Sequence, residues 1–327
     1  MRFVPNDLGD GVRWDNRLNW STEDLPGTQD GDSVDLAGNW VQYGGVTTIE
    51  DLDFGEGGVL NVTNGRLEVA DHIAVGDAGA ELNIDKTGQV FVDGYTDQDI
   101  LSINAAGGRF VNTDLLTGTV DLDVSDNAQV ILASSGADFA LNDDSSIEII
   151  GGDAKVGFDG QGGDTSVLLL ADDATLAFTA EDGEFSVIEE FRSGYFENDG
   201  PDVQSGINLG DASLELNLAS LAEDGAATEI LIDVDELIGN FEDITVSGLN
   251  GNQDATVTVD YSSDQVSLTL SALGAGSGEV SLQTIGNVGD AKSASSLWDA
   301  LTNGHGIYVD DDPSSIPSEE DVLEDDI

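Results

Sequence analysis

Three basic residues, Arg66, Lys86 and Arg109, lie 20 and 23 residues apart in a chain with nine lysines and arginines against 66 aspartates and glutamates. Cations at a fixed repeat could neutralise the carboxylate of an acidic sugar while a neighbouring base removes the adjacent proton. That is the chemistry of lyases and epimerases acting on uronates. A plainer reading is that each cation compensates the acids around it. The net charge of −57 favours the plainer reading, because such a field repels polyanions. Paired carboxylates could also hydrolyse a glycoside, but among so many acids the sequence singles out no pair.

Acid clusters raise the question of calcium. "DLDVSDN" brings together Asp121, Asp123 and Asp126, and "DVDE" brings together Asp233, Asp235 and Glu236. Hard cations require several oxygens converging from one loop, and solvated turns in an acidic chain produce the same clusters. "GFDGQGGDTSVLLL", from Gly157, is similar to the glycine-aspartate nonapeptide of calcium-binding β-rolls, with Asp159 and Asp164 as its acids. The resemblance implies calcium as the cofactor to look for, yet that architecture uses tandem copies and here there is one.

Aromatic residues form a third set. Trp14, Trp20, Trp40 and Tyr43 all fall within the first 45 residues. Their rings could stack on sugars as a glycan-binding surface, or they could cap a core that would otherwise be open. The two histidines, His72 and His305, are too few for a metal triad. No nucleophile elbow or phosphate loop is present. Without cysteine there are neither disulfides nor thiolate sites.

The elements that must position these residues follow from repetition. Leucines at 60, 82, 101, 122 and 141 open similar units: "LNVTNGRLEV", "LNIDKTGQVFV", "LSINAAGGRFV" and "LDVSDNAQVIL" for the first four. Taken alone, the Asn64-Gly65 pair would turn a hairpin. A period of about 20 residues instead predicts stacked turns sharing one core, with Asn64-Gly65 as a corner between two strands of the same coil. The expected inward set is Leu60, Val62, Leu67 and Val69, then Leu82, Ile84, Val90 and Val92, with Leu101, Ile103 and Phe110 below. Leu122, Val124, Val130 and Leu132 complete it. Two-residue alternation dominates and helical periodicity is nearly absent. The predicted fold is all-β: a right-handed parallel β-helix, or β-solenoid, with an N-terminal cap and a C-terminal hairpin and short helix. The expected boundaries are an aromatic-rich cap over 1–45, coils over 46–232, terminal coils and a hairpin over 233–274, and a C-terminal cap with an acidic tail over 275–327.

The opening "RLNWSTEDLPGTQDGDSVDLAGNWVQY" resembles the first coil of secreted bacterial β-helix proteins, through Asn19, Trp20, Ser21, Pro26, Gly27, Gly31, Asp32 and Val34. "IGNFEDITVSGL" and the following "ATVTVDYSSDQVSLTL" are similar to the terminal coils of autotransporter-type passenger domains. The resemblance implies a surface-displayed solenoid and brings no catalytic residues with it. The start, "MRFVPNDLGDG", has no apolar stretch of the signal-peptide kind. That departs from the secreted pattern and keeps open a virion fibre, spike or capsid-decoration role, for which β-helices are also used.

The expectation is therefore a non-enzymatic structural or adhesive solenoid, extracellular, on a cell surface or on a virion. Its partners would be glycans or homotypic neighbours, with a homotrimer as one form. The charge argues against nucleic acid, and no segment approaches the apolar length of a membrane span. The rival expectation is a polysaccharide lyase or epimerase using Arg66, Lys86 and Arg109.

Overall fold

The computed structural model describes residues 1–5, 9–29, 31–95, 99–134, 136–159, 165–191, 204–221, 227–272 and 274–286. The helix expected at "SASSLWDALTN", the acidic tail and His305 lie outside these residues. So does the stretch from Gly160 to Asp164.

All strands join one hydrogen-bonded, mostly parallel sheet that winds as a solenoid-like coil. The first three coils are long strands that bend as they go: Trp40–Asp53, Val59–Ala74 and Ala80–Tyr95. The fourth comprises Leu101–Ala106 and Arg109–Gly118. The fifth to eighth each break into three strands. These are Val120–Ser125, Gln129–Ser134 and Asp138–Leu141; then Ser146–Ile150, Lys155–Asp159 and Thr165–Leu170. Below them come Thr175–Thr179, Ile188–Glu190 and Gln204–Asn208, and finally Ser213–Asn217, Ala227–Asp233 and Glu236–Ile238. Ile244–Ser247 begins a ninth coil.

Each strand pairs in parallel with its counterpart one coil away, so three faces form. On the first face Leu60, Leu82, Ile103, Leu122, Ile147, Leu176, Leu214 and Ile244 fall in one register column. On the second, Leu67, Val90, Phe110, Val130, Val156, Ile188 and Ile232 do the same. On the third, Leu52, Ile73, Tyr95, Leu116, Phe139, Leu168, Ile207 and Leu237 line up. Alternation sends these residues inward and their polar neighbours outward, and stacking merges the inward sets into one core. Every residue of the predicted inward set is at most 1% exposed.

"LNVTNGRLEV" is not a hairpin. Val59–Ala74 pairs in parallel with the coils on both sides, and the register slips by one residue where Val62 gives way to Asn64. Gly65 takes φ +84° there, and a Cβ on it would lie 1.8 Å from the Gly45 carbonyl oxygen. The unit boundaries differ from the leucine count. Leu101 pairs with Ala80, one pleat before the Leu82 column, and Leu141 ends the third strand of the fifth coil. Beyond that coil the turns lengthen, and spacing alone no longer tracks them.

The N-terminal residues cover the open end. Trp14 N–H donates to Gln42 O at 2.9 Å and Gln42 N–H to Val12 O at 2.8 Å, which pairs an edge that would otherwise invite another strand. Phe3, Trp14, Trp20 and Tyr43 pack edge to face with centroids 5.1–5.2 Å apart. Asn19 is fully buried and donates to Asp10 Oδ1 at 2.7 Å and to Arg13 O at 2.9 Å, tying the cap loop together. At the other end, Ala227–Asp233 meets Gln265–Leu270 antiparallel, and that strand forms a hairpin with Ala255–Asp260. The reversal of direction ends the parallel stack. Val280–Ile285 adds one further parallel strand, exposed along its whole length.

Candidate functional site

The register tests the predicted cationic column. On the second face Arg66 stands beside Gln89, Gln89 beside Arg109, Arg109 beside Gln129, and Gln129 beside Lys155. Arg66 and Arg109 thus share one outward column two coils apart, about 10 Å at the usual strand spacing. Lys86 does not join them. It occupies the corner before this face in a left-handed conformation, φ +55°, with its Nζ 3.7 Å from Asp85. Lys155 holds the position that extends the column. Spacing alone does not find it, because the coils lengthen between Arg109 and Lys155.

The two arginines already have partners. Arg66 donates to Glu68 at 2.8 Å and lies 4.2 Å over the Phe91 ring, and Arg109 donates to the Gln129 side chain. The next outward column is apolar. Phe91, Val111 and Ile131 point away from the main core, yet they are buried and form a second cluster with Phe191 packed against it. The sequence carries a signal for this in unbroken runs such as "QVFV" and "QVIL", where alternation stops because both faces of the strand are covered. Beside the cations, then, stand amides and apolar groups, with Glu68 bound to Arg66.

The first face is polar. Glu81, Ser102, Asp121 and Ser146 form one outward column; Asn61, Asn83, Asn104, Asp123 and Glu148 form the next. Asn104 donates to Asn83 Oδ1 at 2.8 Å, and Asn83 donates to Asn61 Oδ1 at 3.0 Å and to Glu81 at 2.8 Å. Below this amide ladder lies an open depression of about 400 Å³, lined by Glu81, Ser102, Asn104, Asp121, Asp123 and Ser146. The Asp123 carboxyl is pushed above the usual range by partial burial and by the neighbouring Glu148 and Asp121. Asp121 accepts from Ser146 at 3.0 Å.

Of the candidate calcium ligands, Asp121 and Asp123 share this depression. Asp159 is buried at the end of a second-face strand, and Asp164 lies outside the described residues. Among the described residues no three acids or histidines are grouped so as to hold a metal. The candidate glycan-stacking rings also separate. Trp14 and Trp20 are 4% and 1% exposed within the cap, whereas Trp40 is 48% exposed at the head of the first face.

No family model, curated protein or solved structure matches this chain. What the site can do follows from its own geometry.

That geometry contains one constellation that no local sequence pattern marks. The Ser205 hydroxyl donates to Glu190 and accepts from the Asp235 N–H; Ser205 lies 15 positions from the first and 30 from the second. Burial first, and then Asp235, push the Glu190 carboxyl up to about 7.

Proposed function

We propose that the chain is a right-handed parallel β-helix serving as a non-enzymatic, exposed structural or adhesive shaft, carried on a bacterial surface or on a virion as fibre, spike or capsid decoration. The observation that supports this best is the apolar column that runs from coil to coil on all three faces beneath a coat of acids. A stack packed in this way is stiff, and like charges hold it extended and apart from its neighbours. The right hand follows from the strong preference of parallel crossovers for that hand.

The first face is the surface such a shaft offers to a ligand. Trp40 gives a ring for stacking, and the amides, hydroxyls and carboxylates below it give hydrogen-bonding groups at the coil spacing. These groups suit a neutral glycan and repel a polyanion. A homotypic neighbour is the other partner, with a closed trimer as the simplest assembly. Immunogold labelling of intact producing cells or particles tests the display. Label on the outer surface is expected, and label confined to the cell interior overturns it.

The alignment of Arg66 with Arg109 is the one observation that favours the lyase or epimerase reading. Assaying unsaturated-uronate formation on alginate, pectate and ulvan decides between the two. No turnover is expected, and turnover abolished by Arg66→Ala or Arg109→Ala would establish the enzyme instead.

A further inference from the structure

We propose that Val280–Ile285 is the strand through which two copies of this chain join, edge to edge and antiparallel, about a two-fold axis at Leu282. Among the described residues this strand pairs with Ala255–Asp260 alone. All six of its residues are exposed, the apolar Val280, Leu282 and Ile285 included. The inference concerns this contact only and holds or fails wherever the shaft is displayed.

The backbone sets the geometry of the contact. Glu279 O accepts from Ala255 N–H at 2.9 Å, and Ile285 O accepts from Tyr261 N–H at 2.9 Å. Alternation therefore turns the N–H and C=O groups of Ser281 and Gln283 toward Ala255–Asp260, and those of Val280, Leu282 and Thr284 toward the free edge. An antiparallel partner must set residues of one face opposite each other. A two-fold axis at Leu282 does this over the whole strand: Leu282 opposes Leu282, Val280 opposes Thr284, and Ser281 opposes Gln283. Val280, Leu282 and Thr284 of the two copies then exchange about six backbone hydrogen bonds. Val280 and Leu282 stand in register with Ala255 and Val257, which are fully buried. The contact thus extends the apolar side of the terminal sheet across the axis.

Charge selects the partner. Protected edges carry charges, prolines or bulges, whereas "VSLQTI" has no charge and no proline and keeps an unbroken register with its neighbour. In a chain with 66 acids, the nearest in sequence are Glu279 and Asp290. Gln265–Leu270 and Ile244–Ser247 are uncharged as well, and Ala255–Asp260 carries only Asp260. Two chains of net charge −57 repel each other, and at this end they approach with least repulsion. A basic partner is drawn to the acidic coat instead. A second copy brings a strand that is equally neutral and equally unpaired. The N-terminal edge offers no such strand, since Val12 and Trp14 already bond to Gln42. A contact between like edges closes at two chains, whereas pairing of unlike ends would run on as a filament.

Sedimentation of the full chain from about 1 to 500 μM tests the contact, because one strand pair falls below the ~1,200 Å² of a stable complex and dissociates in the micromolar range. A monomer–dimer equilibrium is expected, and its dissociation constant should fall in about 1 M sodium chloride as repulsion is screened. Leu282→Glu, at an exposed position, should keep the circular dichroism of the wild type and remain monomeric throughout. A wild type that stays monomeric in high salt, or a Leu282→Glu dimer as tight as the wild type, overturns the proposal. Oxidative cross-linking locates the axis. Leu282→Cys is expected to form a covalent dimer, since paired Cα atoms about 5.5 Å apart are within disulfide reach. Thr228→Cys, three strands away on the same sheet, should not. Failure of Leu282→Cys to cross-link under conditions where the wild type is dimeric overturns the two-fold. A thiol there that resists alkylation in the monomer shows that the chain's own residues cover the strand, which also overturns it.

Discussion

Trp20 and Trp40 carry the same side chain to opposite environments, and the difference can be measured. Trp20 is enclosed by Phe3 and Trp14 and donates its Nε1–H to Trp14 O at 2.8 Å. Trp20→Ala is expected to cost about 3–5 kcal/mol in the region of the cap, as deletion of a large core ring does. Trp40→Ala should cost under about 1 kcal/mol, because half of its ring faces water. Denaturant melts of the two variants check this, and equal losses would contradict the placement. The gathering of aromatic rings within the first 45 residues is legible in the sequence. Which ring faces outward was not, since that depends on the strand register of Trp40, fixed only by its partner Val59. A second prediction concerns acid. Asp254 is held below the usual carboxylate range by the backbone N–H groups of Ser277 and Glu279, and Asp260 by the Ser262 hydroxyl and N–H. Backbone and Asn19 donors act likewise on Asp10. Each contributes stability above the unfolded pKa of 3.8, and that contribution is lost as pH falls through the lower folded value. The melting midpoint should therefore drop below about pH 4, and Asp254→Asn should lower it at pH 6 more than at pH 3.

Corners decide the behaviour of the elements. Gly65 and Gly57 both have positive φ, but a Cβ at Gly65 strikes the Gly45 carbonyl, whereas at Gly57 the nearest atom is Ala78 Cβ at 4.0 Å. Gly65→Ala should cost about 1–3 kcal/mol more than Gly57→Ala, because only the first must also push stacked coils away from each other. Thermal melts of the pair measure this, and equal costs would mean that the coils do not approach here. The strands were legible because alternation names inward residues without knowledge of their partners. The faces were not, because a one-residue slip at Asn64 or a corner residue such as Lys86 shifts what stands in a column. Lys86 lost its predicted place to Lys155 for that reason. Glu190 and Asp235 were hidden more deeply. No local pattern marks two acidic residues from separate coils that meet on one buried serine.

Across the molecule as a whole, charge and stacking oppose each other. With a net charge of −57, self-repulsion destabilises the compact state, and salt shortens its reach from about 10 Å at 0.1 M to about 3 Å at 1 M. The melting midpoint should rise with sodium chloride over that range, and a fall would show that attractive ion pairs dominate. Every site described above depends on the stack itself, and the absence of cysteine makes the stack open to spin labelling. Val59, Glu81, Ser102, Ser146, Thr175 and Ser213 occupy successive or near-successive places in one outward column of the first face. Pairs of labels placed at Ser213 and at each of the others in turn give the distances along it by electron–electron resonance. A stacked coil requires a linear increase of about 4.8 Å for each coil between the labels, reaching about 29 Å for Val59 with Ser213. Distances that do not grow in order along the column would show that the coils are not stacked.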